Sequence, residues 1–530
     1  MQSPDSARTP LRLAALAAAV SMALTAATPA AAEPRHMVLR QVTNLSMGDV
    51  EWPRIRMQDG NRLSFVSDGD VLGTGTATAM RQIYMWEEAT GEVLQVTNGV
   101  DCESYDAARP TDGTNTGSRP EVIAFISTCD LDPARDNSDG NPEVFFWEIE
   151  SGNFRQLTDT QPPVVNSEPF LSDSSRCLVF SSTGDLDDNH TSNPYYSEDH
   201  PGPGYSNADG SQEVFLYGKI SGEQGYPHNA TFAQISNGPP GTVSSHPVIG
   251  GYWYARQCQT TAYQSTHDQI PDDGVDQVGQ HIYEYKMPAS AVSNLIAAEN
   301  EDIGLPAGTY KNPHISSASP FARGPFIVFE SDADLWNNQS VGNDIFRYRV
   351  FHPRMTQYTN VGKDPDGVAG PALPGAIRNP VISDGGGVIG FDSTTEHLTQ
   401  KRDARIGGSP PYNPDQNPEI IRLKGRHKVW QITRTENCDN GQVSVDDDGR
   451  RIVFRSTCDL IPGQNPTGAA QVFIWSLEKQ SSPIFNSCSS DGSDGCCKWD
   501  KAGSSCYEPV FGNQIDSPPR PNCALRNRCD

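Results

Sequence analysis

Positive charge is scarce in this chain of 530 residues: 40 Lys and Arg stand against 66 Asp and Glu, a formal charge of −26 at pH 7. A surface of that sign repels phosphate backbones and anionic headgroups, which sets aside nucleic acid and anionic membranes as partners. Beyond residue 32 no stretch approaches the ~18 consecutive apolar residues of a membrane helix, so the mature chain is expected to have no transmembrane span. The Gly-x-Ser-x-Gly elbow of serine hydrolases is missing, as are His-Glu-x-x-His, Walker A and Rossmann signatures. Only 36% of the residues are hydrophobic. Glycine and proline, in contrast, are plentiful: 47 and 41 residues. Together they make up about 17% of the chain, above the usual ~12% but short of the ~25–30% of low-complexity sequence, so they predict many turns inside a folded protein.

Arg8 and Arg12 precede an Ala/Leu-rich run over 13–25, and small residues end at Ala30-Ala31-Ala32. This layout predicts a secretory signal peptide over 1–32, cleaved before Glu33, with a retained signal anchor as the rival reading. Export leaves the protein periplasmic or secreted. All twelve cysteines lie beyond that site, and Cys488, Cys496, Cys497, Cys506, Cys523 and Cys529 crowd the last 43 residues. In an exported chain an even count and a dense cluster predict disulfides, and the tail lacks the paired C-x2-C spacing of a zinc site.

A short pattern recurs seven times: a polar or acidic residue, an aliphatic, and in most copies an aromatic followed by a second two positions on. It reads Gln82-Ile83-Tyr84-Met85-Trp86, Glu143-Val144-Phe145-Phe146-Trp147, Glu213-Val214-Phe215-Leu216-Tyr217 and His281-Ile282-Tyr283-Glu284-Tyr285. The later copies are Asp344-Ile345-Phe346-Arg347-Tyr348, Glu419-Ile420-Ile421-Arg422-Leu423 and Gln471-Val472-Phe473-Ile474-Trp475. A second β-rich element precedes each, such as Leu63-Ser64-Phe65-Val66-Ser67 or Ile452-Val453-Phe454-Arg455-Ser456; in the fourth unit it is assigned to Tyr252-Trp253-Tyr254-Ala255-Arg256. A third element ending in Thr or Ser follows most copies, and a short Pro-led strand opens the unit. Four short strands between Gly, Asp and Asn turns, repeated every ~50–75 residues, predict an all-β fold: a seven-bladed β-propeller of four-stranded antiparallel blades. The expected division is a leader at 1–32, a propeller at 33–487 and a small disulfide-rich C-terminal tail at 488–530. Blades are expected near 45–100, 101–162, 163–240, 241–302, 303–364, 365–435 and 436–487. Residues 39–44 repeat the outer-strand motif ahead of the first blade and would close the ring, with 483–487 as the competing strand.

These residues resemble the WD-like propeller repeats of the TolB type: a Pro-led inner strand, an Asp-Gly turn, a Phe-x-Ser strand, an Asp-Leu loop and an Asp-Ile-Phe strand. The best matches run from Ser444 to Asp448-Gly449 and on through Phe454-Arg455-Ser456 to Asp459-Leu460, and from Ser383-Asp384-Gly385 to Phe391-Asp392-Ser393. Asp130-Leu131, Asp185-Leu186 and Asp334-Leu335 repeat the loop signature. The resemblance covers about residues 38–487 and implies the propeller fold but no single activity, since such repeats serve both as periplasmic scaffolds and as the propeller halves of serine peptidases. Equivalence between repeats places Cys129 and Cys458 in one slot and predicts the pairs Cys102–Cys129 and Cys438–Cys458. Cys258 is assigned to the same slot of blade four, which leaves a Cys177–Cys258 link open.

Candidate chemistry falls in two places. Asp130, Asp132, Asp136 and Asp139, with Asn137 and Asn141, share one loop, and Asp185, Asp187, Asp188 and Asn189 share another. They suit Ca2+ ligation or, with greater weight, turn formation. Residues entering the inner strands are expected to converge on one mouth of the channel, at Trp52, Arg109, Glu168, His246, Asn312 and Asn379, with His314 nearby. They serve either as a binding site or as the polar lining of a wet channel. Inserts at 188–210 and 401–417 add Tyr- and Pro-rich loops suited to contacts. The leading expectation is a monomeric exported scaffold that binds a protein or polysaccharide partner without catalysis. The alternative is a polysaccharide lyase or glycoside hydrolase using His246 and Glu168, with a metal if His314 joins them.

Overall fold

The computed structural model describes residues 35–57, 59–74, 80–111, 120–173, 175, 177–186, 206–218, 232–252, 256–269, 279–286, 291–294, 308–316, 325–333, 342–350, 354–359, 376–395, 413, 415–425 and 428–479. The expected leader, the Cys-rich tail, the strand proposed at 483–487 and most of both inserts lie outside them.

Twenty-eight strands pair into seven four-stranded antiparallel sheets, with no helix among the described residues. Blade one comprises β2 (Val50–Ile55), β3 (Arg62–Ser67), β4 (Gln82–Glu87) and β5 (Glu92–Gln95), and blade two β6 (Ser104–Tyr105), β7 (Val122–Ser127), β8 (Glu143–Glu148) and β9 (Phe154–Gln156). Blade three holds β10 (Asn166–Leu171), β11 (Cys177–Ser182), β12 (Glu213–Gly218) and β13 (Phe232–Gln234). Blade four holds β14 (Ser244–Tyr252), β15 (Arg256–Ser265), β16 (His281–Lys286) and β17 (Ala291–Asn294). Blade five is β18 (Tyr310–Ile315), β19 (Phe326–Ser331), β20 (Asp344–Arg349) and β21 (Arg354–Gln357), and blade six β22 (Ile377–Ile382), β23 (Val388–Ser393), β24 (Glu419–Lys424) and β25 (Lys428–Gln431). Blade seven joins β26 (Asn440–Val445), β27 (Arg451–Ser456) and β28 (Gln471–Lys479) to β1 (Arg35–Gln41), which pairs Arg35 with Lys479 and Gln41 with Phe473. The N-terminal strand therefore closes the ring.

The repeated motif exists because each sheet must bury both faces. Alternate side chains of a strand point to opposite faces, so in β3 and β4 Leu63, Phe65, Tyr84 and Trp86 pack toward blade seven while Val66, Ile83 and Met85 pack toward blade two. Seven apolar clusters fill the seven gaps between consecutive blades. Each fully buried large side chain contributes roughly 1.5–3 kcal/mol. Across strands two and three of each blade an aromatic pair stacks, as in Phe65–Tyr84 at 5.5 Å, Phe125–Phe145 at 5.9 Å and Phe454–Phe473 at 5.8 Å. Blade six is the exception, with Ile421 opposite Phe391.

The same pairing corrects blade four. Tyr263 stacks on Tyr283 at 5.9 Å, and Ser265 pairs with His281. Tyr252 ends β14 and pairs with Arg256 at the start of β15, so the second strand is Arg256–Ser265. The slot that Cys129 and Cys458 occupy after Ser-Thr is filled in blade four by His267, so Cys258 is not their equivalent. The predicted pairs do form, Cys102–Cys129 with a Cα separation of 5.1 Å and Cys438–Cys458 with 5.3 Å. Cys177 is disulfide-bonded too. Whether Cys258 is its partner lies outside the described side chains.

A buried polar lock explains the acidic start of the motif and the Thr or Ser that ends the outer strand. In blade one Thr97 Oγ1 accepts the Ile83 N–H at 2.9 Å and donates to Gln82 Oε1 at 2.8 Å. In blade five Thr359 does the same for Ile345 and Asp344. Thr43, just past β1, repeats the lock in blade seven with Val472 and Gln471, at 2.9 and 2.8 Å. No helix among the described residues is long and apolar enough to cross a membrane.

Candidate functional site at the channel mouth

The inner strands of blades one and three to seven each contain a β-bulge, where the register shifts between Glu51 and Arg54, Ser167 and Phe170, Ser245 and Val248, Lys311 and His314, Arg378 and Val381, and Gly441 and Ser444. A bulge bends its strand and re-aims a side chain. One residue per blade then takes a left-handed backbone: Trp52 (φ 47°), Asp106 (50°), Glu168 (55°), His246 (51°), Asn312 (52°), Asn379 (52°) and Gln442 (55°). For a residue with a Cβ this region costs on the order of 1–2 kcal/mol. None of the seven is glycine.

Proline follows the left-handed residue in five blades, at Pro53, Pro169, Pro247, Pro313 and Pro380, which is why those positions are readable from the chain. Blade two has Ala107 there instead, and Pro110 shifts the sequence assignment to Arg109. The true equivalent is Asp106, three residues earlier. Blade seven has Val443, and Gln442 escapes notice for the same reason. Gln442 is recoverable by counting back 12 residues from Phe454, the spacing of Glu168 from Phe180 and of Asn379 from Phe391, whereas Asp106 lies 19 residues before Phe125 and escapes that count.

Side chains of one blade bind the bulge of the next. The Trp52 N–H donates to Gln442 Oε1 at 2.7 Å, the Glu168 N–H to Asp106 Oδ2 at 3.3 Å, the His246 N–H to Glu168 Oε2 at 2.7 Å and the Asn312 N–H to Gln264 Oε1 at 2.9 Å. His246 Nδ1 lies 3.2 Å from Glu168 Oε1 and 2.9 Å from Gln264 Nε2. Asn312 Nδ2 donates to Glu330 Oε1 at 2.6 Å, and Asn379 Nδ2 to Asp392 Oδ1 at 3.1 Å. Burial raises both of these carboxyls to about 7. Burial also raises Asp106, against the pull of the Glu168 N–H.

The ring opens into a cavity of about 350 Å³ lined by Trp52, Asp106, Glu168, His246, Asn312 and Asn379 and, two residues further along each strand, by a narrower layer that includes Arg54, Phe170, Val248, His314 and Val381. His314 belongs to this throat. Its ring meets Phe170 edge-on at 5.7 Å, and its Nδ1 accepts the Ile382 N–H at 3.3 Å. Arg109 is in the throat as well, its guanidinium 4.9 Å over Phe170 and paired with Asp173. The geometry thus brings His246 and Glu168 together and sets His314 apart from them.

In the Asp-rich loop, Asp130, Asp132, Asp136 and Asp139 each accept a backbone N–H, from Asn137, Ala134, Ser138 and Asn141 respectively, and Asp132 also accepts that of Gln156. This is the bonding of turn formers. Among the described residues no three His, Cys, Asp or Glu side chains group so as to hold a metal ion.

Fold and channel together define the class as a seven-bladed β-propeller with a polar mouth. No family model matches the chain, and no curated protein sequence matches it. Among solved structures it is similar to oligogalacturonate lyase from Vibrio parahaemolyticus, at 12% identity over 84% of this chain and 97% of that one, with a TM-score of 0.46. It is similar to Pyrococcus horikoshii acylaminoacyl peptidase, at 12% identity over 82% of this chain and 52% of that one, TM-score 0.41. A putative TolB from Agrobacterium tumefaciens matches at 12% identity over 74% and 95%, TM-score 0.33. These likenesses concern the propeller fold alone.

Proposed function

We propose that this chain is an exported, monomeric scaffold of the TolB-like kind, which binds a protein partner across the mouth of its channel without converting it. The observation that carries the reading is the ring of seven left-handed residues, all with side chains where glycine would be free of strain. Strain kept at one place in every repeat marks a site whose side chains are needed. Around that mouth, on the loops of the same face, Met47, Leu72, Met80, Val100, Val165 and Val243 are exposed, Val100 to 83%. Exposed apolar residues on one face suit a protein contact. The disulfides at Cys102–Cys129, Cys438–Cys458 and Cys177 suit an oxidising compartment. The lyase or hydrolase alternative has His246 and Glu168 in contact, but His314, held against Phe170 and the Ile382 N–H, gives no support to its metal-dependent form.

A photo-crosslinking side chain at Val100 or Val165, with Ser151 on the opposite face as control, tests the proposal in envelope or culture extract. Adducts are expected from the mouth face only. Equal labelling from Ser151, or cleavage of acidic polysaccharides by the purified protein, would overturn it.

A further inference from the structure

Arg54 stands out in the throat. Its guanidinium lies 5.2 Å from the Trp52 ring centroid and makes no hydrogen bond or ion pair with any described residue. Burial and the nearby Arg109 lower it to about 10, against the opposing charge of Asp106, so it stays protonated at neutral pH. A guanidinium carries five N–H donors, and leaving them unmet away from bulk water is costly. Arg109, in contrast, is compensated by Asp173.

His314 supplies a second donor. Because Nδ1 accepts the Ile382 N–H, the neutral ring carries its proton on Nε2, which has no partner among the described residues. Burial, with Arg109 and Arg54 adding to it, holds the ring well below its ordinary value, so it stays neutral. The acidic groups nearby make their hydrogen bonds elsewhere, since Asp106 and Glu168 accept backbone N–H groups of the next blade and Asp173 holds Arg109, and Asp106 acts on Arg54 only through its charge. The throat therefore contains one guanidinium whose N–H donors meet no acceptor among the described residues. Phe170, Val248, Val381 and the prolines after the bulges supply apolar wall beside them.

One free guanidinium fork matches one planar carboxylate, and the Asp106 and Glu168 carboxylates in the same lining repel a dianion more than a monoanion. The volume suits a small molecule. We infer that the throat binds a small organic monocarboxylic acid, its carboxylate on Arg54 and His314 Nε2 and its apolar body against Phe170, Val248 and Val381. This deepens the channel-mouth reading and rests on it.

The test is isothermal titration of the purified protein with phenylacetate and hexanoate, their neutral amides, and phenyl phosphate. Each acid should bind at least roughly tenfold more tightly than its amide, as expected of hydrogen bonds to charged groups, and phenylacetate should bind more tightly than phenyl phosphate. Arg54→Met should lose that preference while melting no lower than the parent, because it removes an unpaired charge, and His314→Phe should weaken binding several-fold. The proposal falls if neither acid outbinds its amide, or if Arg54→Met binds unchanged. Crosslinking at Val100 separates the two readings: adducts without acid binding overturn this inference alone, whereas loss of adducts overturns the mouth reading.

Discussion

Glu330 and Asp392 make the stability of the ring depend on pH in a direction opposite to the usual carboxylate. They are 1% and 4% exposed and lie beneath the bulges of blades five and six, hydrogen-bonded to Asn312 and Asn379. Burial raises Glu330 from 4.5 to about 7, with the charge of Asp392 adding and Lys311, 3.7 Å away, opposing. Asp392 rises from 3.8 to about 7 for the same first reason. The folded state therefore holds these protons more tightly than the unfolded chain. Their contribution is complete below about pH 4, is lost as pH rises through about 7, and changes little above that. At about 1.4 kcal/mol per pH unit, the Glu330 shift amounts to on the order of 3 kcal/mol. Urea unfolding should give a higher midpoint near pH 5 than near pH 8, and Glu330→Gln or Asp392→Asn should flatten that slope. Glu143, Glu213, Glu419 and Asp446 are raised by burial as well. The decisive quantity is thus the difference in slope between parent and variant. A parent that gains stability from pH 5 to 8, or variants that keep the parent's slope, would refute the reasoning.

Two further outcomes concern the frame. Thr43→Val should cost about 1–3 kcal/mol, because it strands the buried Val472 N–H and leaves Gln471 Oε1 with the Leu45 N–H alone; hydrogen exchange should then accelerate first in β1 and β28, and unchanged protection there would contradict the closure. Replacing Cys102 and Cys129 with Ser should lower urea stability by about 3.5 kcal/mol, from the entropy of a loop with a sequence separation of 27, and the 20-residue separation of Cys438 and Cys458 should be worth slightly less.

The blades were legible because sheet packing imposes a period-two code on strands with two buried faces, and that code survives in Ile83-Tyr84-Met85-Trp86 as plainly as in Val472-Phe473-Ile474-Trp475. Blade four was misread where an aromatic run, Tyr252-Trp253-Tyr254, imitates the code without the serine that pairs with the next strand. Cys258 was carried into the wrong slot by the same error. The mouth was legible only where proline marks the bulge. A left-handed backbone has no residue signature of its own when side chains as different as Trp52, Glu168 and His246 adopt it, so Gln442 is reached only by counting against the other blades and Asp106 only through the structure. Arg54 could not be singled out from sequence at all: what sets it apart is the lack of a partner, and Arg56, two residues on in the same chain, binds Glu121 at 2.8 Å.

The net charge of −26 and the unpaired Arg54 act on different classes of ligand. Exterior charges in water are screened beyond roughly 8 Å at physiological salt, so they matter most to a partner that lays many charges along the surface, as a polyanion must. A charge inside the narrow channel is screened far less, because few mobile ions reach it and low-dielectric walls focus its field. A polyanion meets the repulsion repeatedly and gains Arg54 at most once. A small monocarboxylate meets little of the repulsion and gains the whole of the guanidinium. The acidic exterior then acts as a filter on size and charge number, leaving the throat to ligands carrying a single negative group.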